Sequence, residues 1–114
     1  MKLWVGTSGY SYKAWLGSFY PERLPAKEML RFYASRLPAV EINNTFYRLP
    51  KESVLRNWAE QVSPEFRFVL KAPQKITHIR RLKECQQELE YFLEVASVLK
   101  NQLGPLLFQL PPYL

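Results

Sequence analysis

The chain has no aspartate, one cysteine, one histidine and four glycines among its 114 residues. Each shortage excludes a kind of chemistry. Without aspartate no Ser-His-Asp triad can be assembled, and Cys85, set among apolar residues at helical spacing, offers no Cys-His pair. A lone thiol cannot form an internal disulfide, and without CxxC or CxxH spacing it cannot build a structural zinc site. Cys85 therefore reads as a small buried hydrophobe. A single histidine excludes a multi-histidine metal centre. The one ligand pair within reach of the sequence is His78 with Glu41, and no metal contributed by this segment is expected. Thr7-Ser8-Gly9 matches neither GxGxxG nor the GxxxxGK motif that ends in Ser or Thr, so it carries no nucleotide-loop signature and no cofactor is specified. Long apolar runs are missing as well. Leu3-Trp4-Val5 before Gly6 falls far short of a signal-peptide core or a membrane span, which predicts a soluble, cytoplasmic protein without membrane contact.

What remains is an ordinary globular composition, 47% hydrophobic and 23% charged, enriched in aromatic residues at 15%. Such a chain can bury one sizeable core. The formal net charge is +6, and all ten acidic residues are glutamate. An anionic partner fits that balance, whether a phosphorylated metabolite or a nucleic acid, and so does a merely solvated basic surface.

Periodicity predicts strands alternating with helices. Leu3 to Gly6 reads as a short buried strand ending in the turn Thr7-Ser8-Gly9. An aromatic loop follows to about Leu24, and Pro25 is placed as the first residue of a helix bearing Met29, Leu30, Tyr33 and Leu37 on one face. Ala39 to Ile42 is a second strand, and Pro50 opens a helix with Val54, Leu55, Trp58 and Val62 on one face. Arg67 to Lys71 is a third strand. A basic loop runs from it to about Arg81, and a third helix follows with Cys85, Leu89, Phe92, Leu93, Ala96 and Leu99 as its stripe. Gly104 and Pro105 stop that helix before a fourth strand, Leu106 to Leu110. Right-handed βαβ units with a parallel sheet follow, compatible with either an open doubly wound sheet or a (β/α)8 barrel.

The loops at the strand ends carry a more specific signal. Gly6-Thr7-Ser8-Gly9-Tyr10-Ser11-Tyr12 with Trp15 and Gly17 to Pro21 forms one block, and Val40 to Pro50 (Val-Glu-Ile-Asn-Asn-Thr-Phe-Tyr-Arg-Leu-Pro) forms another. Phe68 to Pro73 with Ile76-Thr77-His78, and Leu103-Gly104-Pro105 with Leu107 to Pro112, are two more. In order and spacing these four blocks resemble the DUF72 (YecE-like) family of unknown function. Tyr10 and Asn44 depart from the residues associated with the family there, Trp and Ser. The resemblance implies a TIM-barrel fold for a complete chain of roughly twice this length, since a (β/α)8 barrel takes about 250 residues. Residues 1–114 are then expected to form one unit, the N-terminal half of a barrel with about four parallel strands and three helices, truncated after strand four. Such a piece lacks half of any active site and is expected to be inactive alone, whereas a full barrel of this kind is expected to be enzymatic.

Ligands of parallel α/β sheets bind beyond the carboxyl ends of the strands, so polar residues there are the candidates. Thr7, Ser8 and Tyr10 follow the first strand, Glu41 and Asn43 mark the second, Lys71 the third and Gln109 the fourth. Glu41 lies between Val40 and Ile42, where apolar surroundings would raise its pKa toward the range useful for proton transfer, with Lys71 as its counterion. The two either serve catalysis or form a satisfied ion pair inside the barrel. His78 sits in the basic loop with Lys75, Arg80, Arg81 and Lys83, where an anion could dock. Tyr10 and Tyr47 could contact a ring or a base, whereas Trp15 and Phe19 read as packing for the long first loop.

The leading expectation is a small anionic ligand bound at the barrel mouth, with Glu41 as acid/base and Lys71 as electrostatic partner. The first alternative is nucleic-acid binding, in which the loop from 71 to 83 grips phosphates and aromatic residues stack on a base. The second is a structural half-barrel that self-associates through its open inner face and strand edges. Steep loss of affinity with added salt would single out nucleic acid.

Overall fold

The computed structural model describes residues 2–113. Strand β1 spans Gly6–Ser8, helix α1 Met29–Arg36, β2 Ala39–Ile42, α2 Glu52–Glu60, β3 Arg67–Lys71, α3 Gln86–Ala96 and β4 Leu103–Leu107. All neighbouring strands pair in parallel, in the order β1-β2-β3-β4. A doubly wound sheet reverses direction at a switch point, whereas an order that advances one strand at a time is how a barrel begins. The fold is α/β, with the winding of a half-barrel.

Side-chain alternation shows which face the helices cover. Val40 and Ile42 of β2 and Phe68 and Leu70 of β3 are buried, while Glu41, Arg67, Val69 and Lys71 between them are only half-buried. The first set meets the helices, through Leu30 and Tyr33 of α1, Leu55 of α2 and Phe92 and Val95 of α3. The second set forms an inner face that no helix covers.

Several expectations shift at this level. β1 begins at Gly6 rather than ending there, and Leu3, Trp4 and Val5 are exposed. These three residues flank the sheet at its edge, so their apolar character does not mark a buried strand. β4 runs from Leu103 to Leu107, starting three residues before the apolar run that predicted it. Pro25 is extended (ψ 148°), and a 3-10 turn over Ala26–Glu28 leads into α1 at Met29. Val54 and Leu93 face solvent, and the buried stripe of the third helical segment is Phe92, Val95, Ala96 and Leu99, a clean three-and-four spacing. Cys85 stands just before α3, half-buried against the core. The basic loop is partly ordered into a single π-helical turn over Lys75–Ile79.

Tyr33 joins the layers. Its fully buried hydroxyl donates to the Ala39 carbonyl at 2.7 Å and accepts from the Thr7 amide at 2.8 Å. A helix side chain thereby satisfies main-chain groups of two strands, which would otherwise be costly to bury.

Candidate functional site

The carboxyl ends of the strands bring together part of the predicted set. β1 and β2 pair with Ser8 opposite Glu41, which puts both side chains on the inner face. Ser8 Oγ donates to Glu41 Oε1 at 3.5 Å, and Asn43 Nδ2 donates to Ser8 Oγ. Asn43 follows β2 directly, so the three polar groups form one hydrogen-bonded cluster at the mouth. Ser8 and Glu41 border a hollow of about 530 Å3 on the inner face that Trp4, Gly6, Arg67 and Val69 also line. Asn43 instead lines a smaller hollow of about 310 Å3 that it shares with Tyr10 and Trp58.

Lys71 lies elsewhere than expected. Among the described residues no ion pair links it to Glu41; its Nζ sits over the Phe46 ring, 4.4 Å from the centroid. Phe46 belongs to a 3-10 turn, Asn44–Phe46, that is tied to β3 because the buried Thr45 hydroxyl bonds the Lys71 carbonyl at 2.7 Å. The turn that follows β2 thus carries the aromatic face on which the β3 cation rests, a contact worth about 1 kcal/mol where partly desolvated. The expected buried ion pair is replaced by this arrangement. His78 approaches the same ring edge-on at 5.0 Å, and its Nδ1 lies 2.7 Å from the hydroxyl of fully buried Thr77.

The remaining candidates diverge. The Thr7 side chain turns from the inner face toward the helices, its Oγ1 2.7 Å from the Gly9 carbonyl and 3.0 Å from the Tyr33 hydroxyl. That hydroxyl is consumed internally. Tyr10 packs against Tyr33 at 6.4 Å between ring centroids and accepts the Tyr20 hydroxyl on its carbonyl; burial pushes the Tyr10 phenol pKa up. Tyr47 is 74% exposed and meets the Phe46 ring edge to face, at 5.0 Å between centroids. Gln109 is exposed and lies two residues beyond the end of β4, because that strand ends earlier than its sequence implied. Trp15 and Phe19 pack edge to face at 5.7 Å and fix the first loop, as expected.

In the basic loop, Lys75 and Arg80 both turn toward Glu88 of α3, at 4.0 and 3.8 Å. Part of the positive charge that made nucleic acid an alternative is therefore engaged within the fold. Among the described residues no three His, Cys, Asp or Glu side chains gather where a metal could sit, and no helix is long and apolar enough to cross a membrane. Sequence reasoning missed Thr77 and undervalued Phe46. The only available signal was their position in loops that follow strands.

Comparison with known proteins places this geometry. Residues 4–114 match the family model described as "Protein of unknown function DUF72". The UPF0759 protein YecE of Escherichia coli K12 is 34% identical over 109 residues, which is 96% of this chain and 38% of that protein. The UPF0759 protein YunF of Bacillus subtilis 168 is 26% identical, over 97% of this chain and 40% of its own length. The crystal structure of a DUF72 family protein from Thermotoga maritima superposes with a TM-score of 0.80 at 31% identity, covering 95% of this chain and 44% of that one. A DUF72 family protein from Enterococcus faecalis gives a TM-score of 0.71 at 27% identity, over 93% and 38%. The chain thus spans about two fifths of the length of the curated relatives it matches. From residue 4 to residue 114 it belongs to the DUF72 family, and it corresponds to the N-terminal half of those proteins.

Proposed function

We propose that these strand ends form one side of a barrel mouth that binds a small anionic ligand, phosphorylated metabolites being the natural class, with Lys71 as its electrostatic anchor and Glu41 as acid/base. One observation carries the reading. A cation without an acidic partner among the described residues and a hydrogen-bonded Ser8–Glu41–Asn43 cluster stand at the same end of the same sheet. A lysine held on an aromatic face keeps its charge available to an incoming anion, whereas one locked to a carboxylate would not. The carboxylate cluster offers acceptors for a hydroxyl or an exchangeable proton on the ligand. The other side of the mouth would come from the remainder of the barrel in the longer relatives.

The test is a titration of the chain with inorganic phosphate, followed by heteronuclear NMR. Resonances of Lys71 and His78 should move in the wild type, and Lys71→Met should weaken binding about tenfold, or ~1.4 kcal/mol. Equal affinity in wild type and Lys71→Met would sink the proposal.

A further inference from the structure

We infer that the mouth is divided into two parts, an anion seat made by Lys71, Phe46 and His78 and a hydroxyl seat made by Ser8, Glu41 and Asn43, and that its ligand is a short hydroxylated phosphate ester. The inference rests on the anion-binding reading above and adds to it the ligand class and a positioning residue, Thr77.

The anion seat is defined by one ring. Lys71 Nζ lies 4.4 Å from the Phe46 centroid and the His78 ring 5.0 Å from it, so a cation and an imidazole flank the same half-buried aromatic side chain. Thr77 determines what the imidazole offers. Its hydroxyl is fully buried, and its one hydrogen-bond partner among the described residues is His78 Nδ1, at 2.7 Å. Were Nδ1 the donor, the threonine hydrogen would be buried without an acceptor, which costs more than leaving an oxygen lone pair unused. Thr77 therefore donates to Nδ1, and the imidazole hydrogen resides on Nε2. That nitrogen has no partner among the described residues and is left to donate to an anion beside the Lys71 ammonium.

The hydroxyl seat has the opposite polarity. Glu41 is acceptor-only when ionised and repels a second anion, so it favours a ligand end that brings a hydroxyl hydrogen. Its distance from the anion seat follows from the register. Glu41 pairs with Val69, and Lys71 lies two residues further along β3 on the same face. One strand spacing and two residues of rise place the Glu41 and Lys71 Cα atoms about 8 Å apart. A phosphate separated from a hydroxyl by two or three carbons, reached from each side by a long side chain, is of the length to bridge two strand positions so spaced. A bare phosphate fills one seat alone.

Three probes separate the parts: glycerol, inorganic phosphate and glycerol 3-phosphate, titrated into chain labelled with 15N in the imidazole of His78, the only histidine. Glycerol 3-phosphate should bind at least about tenfold more tightly than phosphate. Glu41→Gln should erase that advantage without weakening phosphate binding, since it removes a repelling charge and no phosphate contact. The wild-type imidazole should show the hydrogen on Nε2, Thr77→Val should give mixed tautomers with severalfold weaker phosphate binding, and Thr77→Ser should restore both properties. Equal affinity for phosphate and its glycerol ester would overturn the two-part mouth and leave the simpler anion site standing. A wild-type hydrogen on Nδ1 would overturn the role of Thr77 even if the valine variant does not fold. Loss of all phosphate binding, or phosphate binding indifferent to Lys71→Met, would bring down the anion-binding reading itself.

Discussion

At Gly6 the main chain of β1 runs so close to β2 that a Cβ would collide with the Ala39 carbonyl. Gly6→Ala has to push the two strands apart, and a urea titration should show a loss of about 2 kcal/mol. Tyr20 gives a second prediction at this scale. Burial, followed by the neighbouring Tyr33 and Tyr10 phenols, pushes its pKa up to about 12. Up to about pH 10 the folded and unfolded chains both hold that proton. Between pH 10 and about 12 the folded chain alone keeps it, so unfolding releases a proton and stability falls as pH rises. Urea midpoints across this window should fall less steeply in Tyr20→Phe than in the wild type. Individual side chains were legible in the sequence when polarity interrupted an apolar strand, as at Glu41 and Asn43. Tyr33 was legible as core and nothing more. Its spacing marks the buried face of α1, but the use of its hydroxyl depends on two strands that the helix meets only after folding.

Among the elements, β2 and β3 could be read directly because each apolar run coincides with a central strand. β4 could not. Gly104 and Pro105 look like punctuation, yet both lie within the strand. The register explains why. Phe68 pairs with Leu103 and Leu70 with Leu106, so three residues of β4 oppose two of β3 and the extra residue bulges out. Pro105 falls in that bulge, one of the places where a strand tolerates a residue without an amide hydrogen, and Gly104 admits the close approach of the Phe68 carbonyl. Just before it, Lys100 adopts φ 52° and ψ −125°, a region that suits glycine. Lys100→Gly should relieve this strain and raise the urea midpoint, by up to about 1 kcal/mol. Three residues of the basic loop, Arg81, Leu82 and Glu84, also have positive φ, and no composition signal announced them.

For the whole molecule, the strand-helix alternation was enough to indicate a parallel α/β unit, and the four loop blocks indicated a half-barrel. The inner face, with its hollow of about 530 Å3, is what distinguishes these residues taken alone from a closed barrel. As an isolated preparation, residues 1–114 expose that face together with the edges of β1 and β4, surfaces that favour pairing with a second copy. Sedimentation equilibrium should find a dimer, and Val69→Lys, which sets a charge in the middle of the hollow, should return it to monomer. A wild-type monomer would dismiss the pairing. The Tyr33 hydroxyl carries a consequence for synthesis. The Thr7 amide closes its bond on a group 26 residues downstream, and that group is held in turn by Ala39. Of these four strands the first to leave the ribosome is therefore the one that has to wait: β1 cannot lock into place until α1 and the start of β2 have emerged behind it.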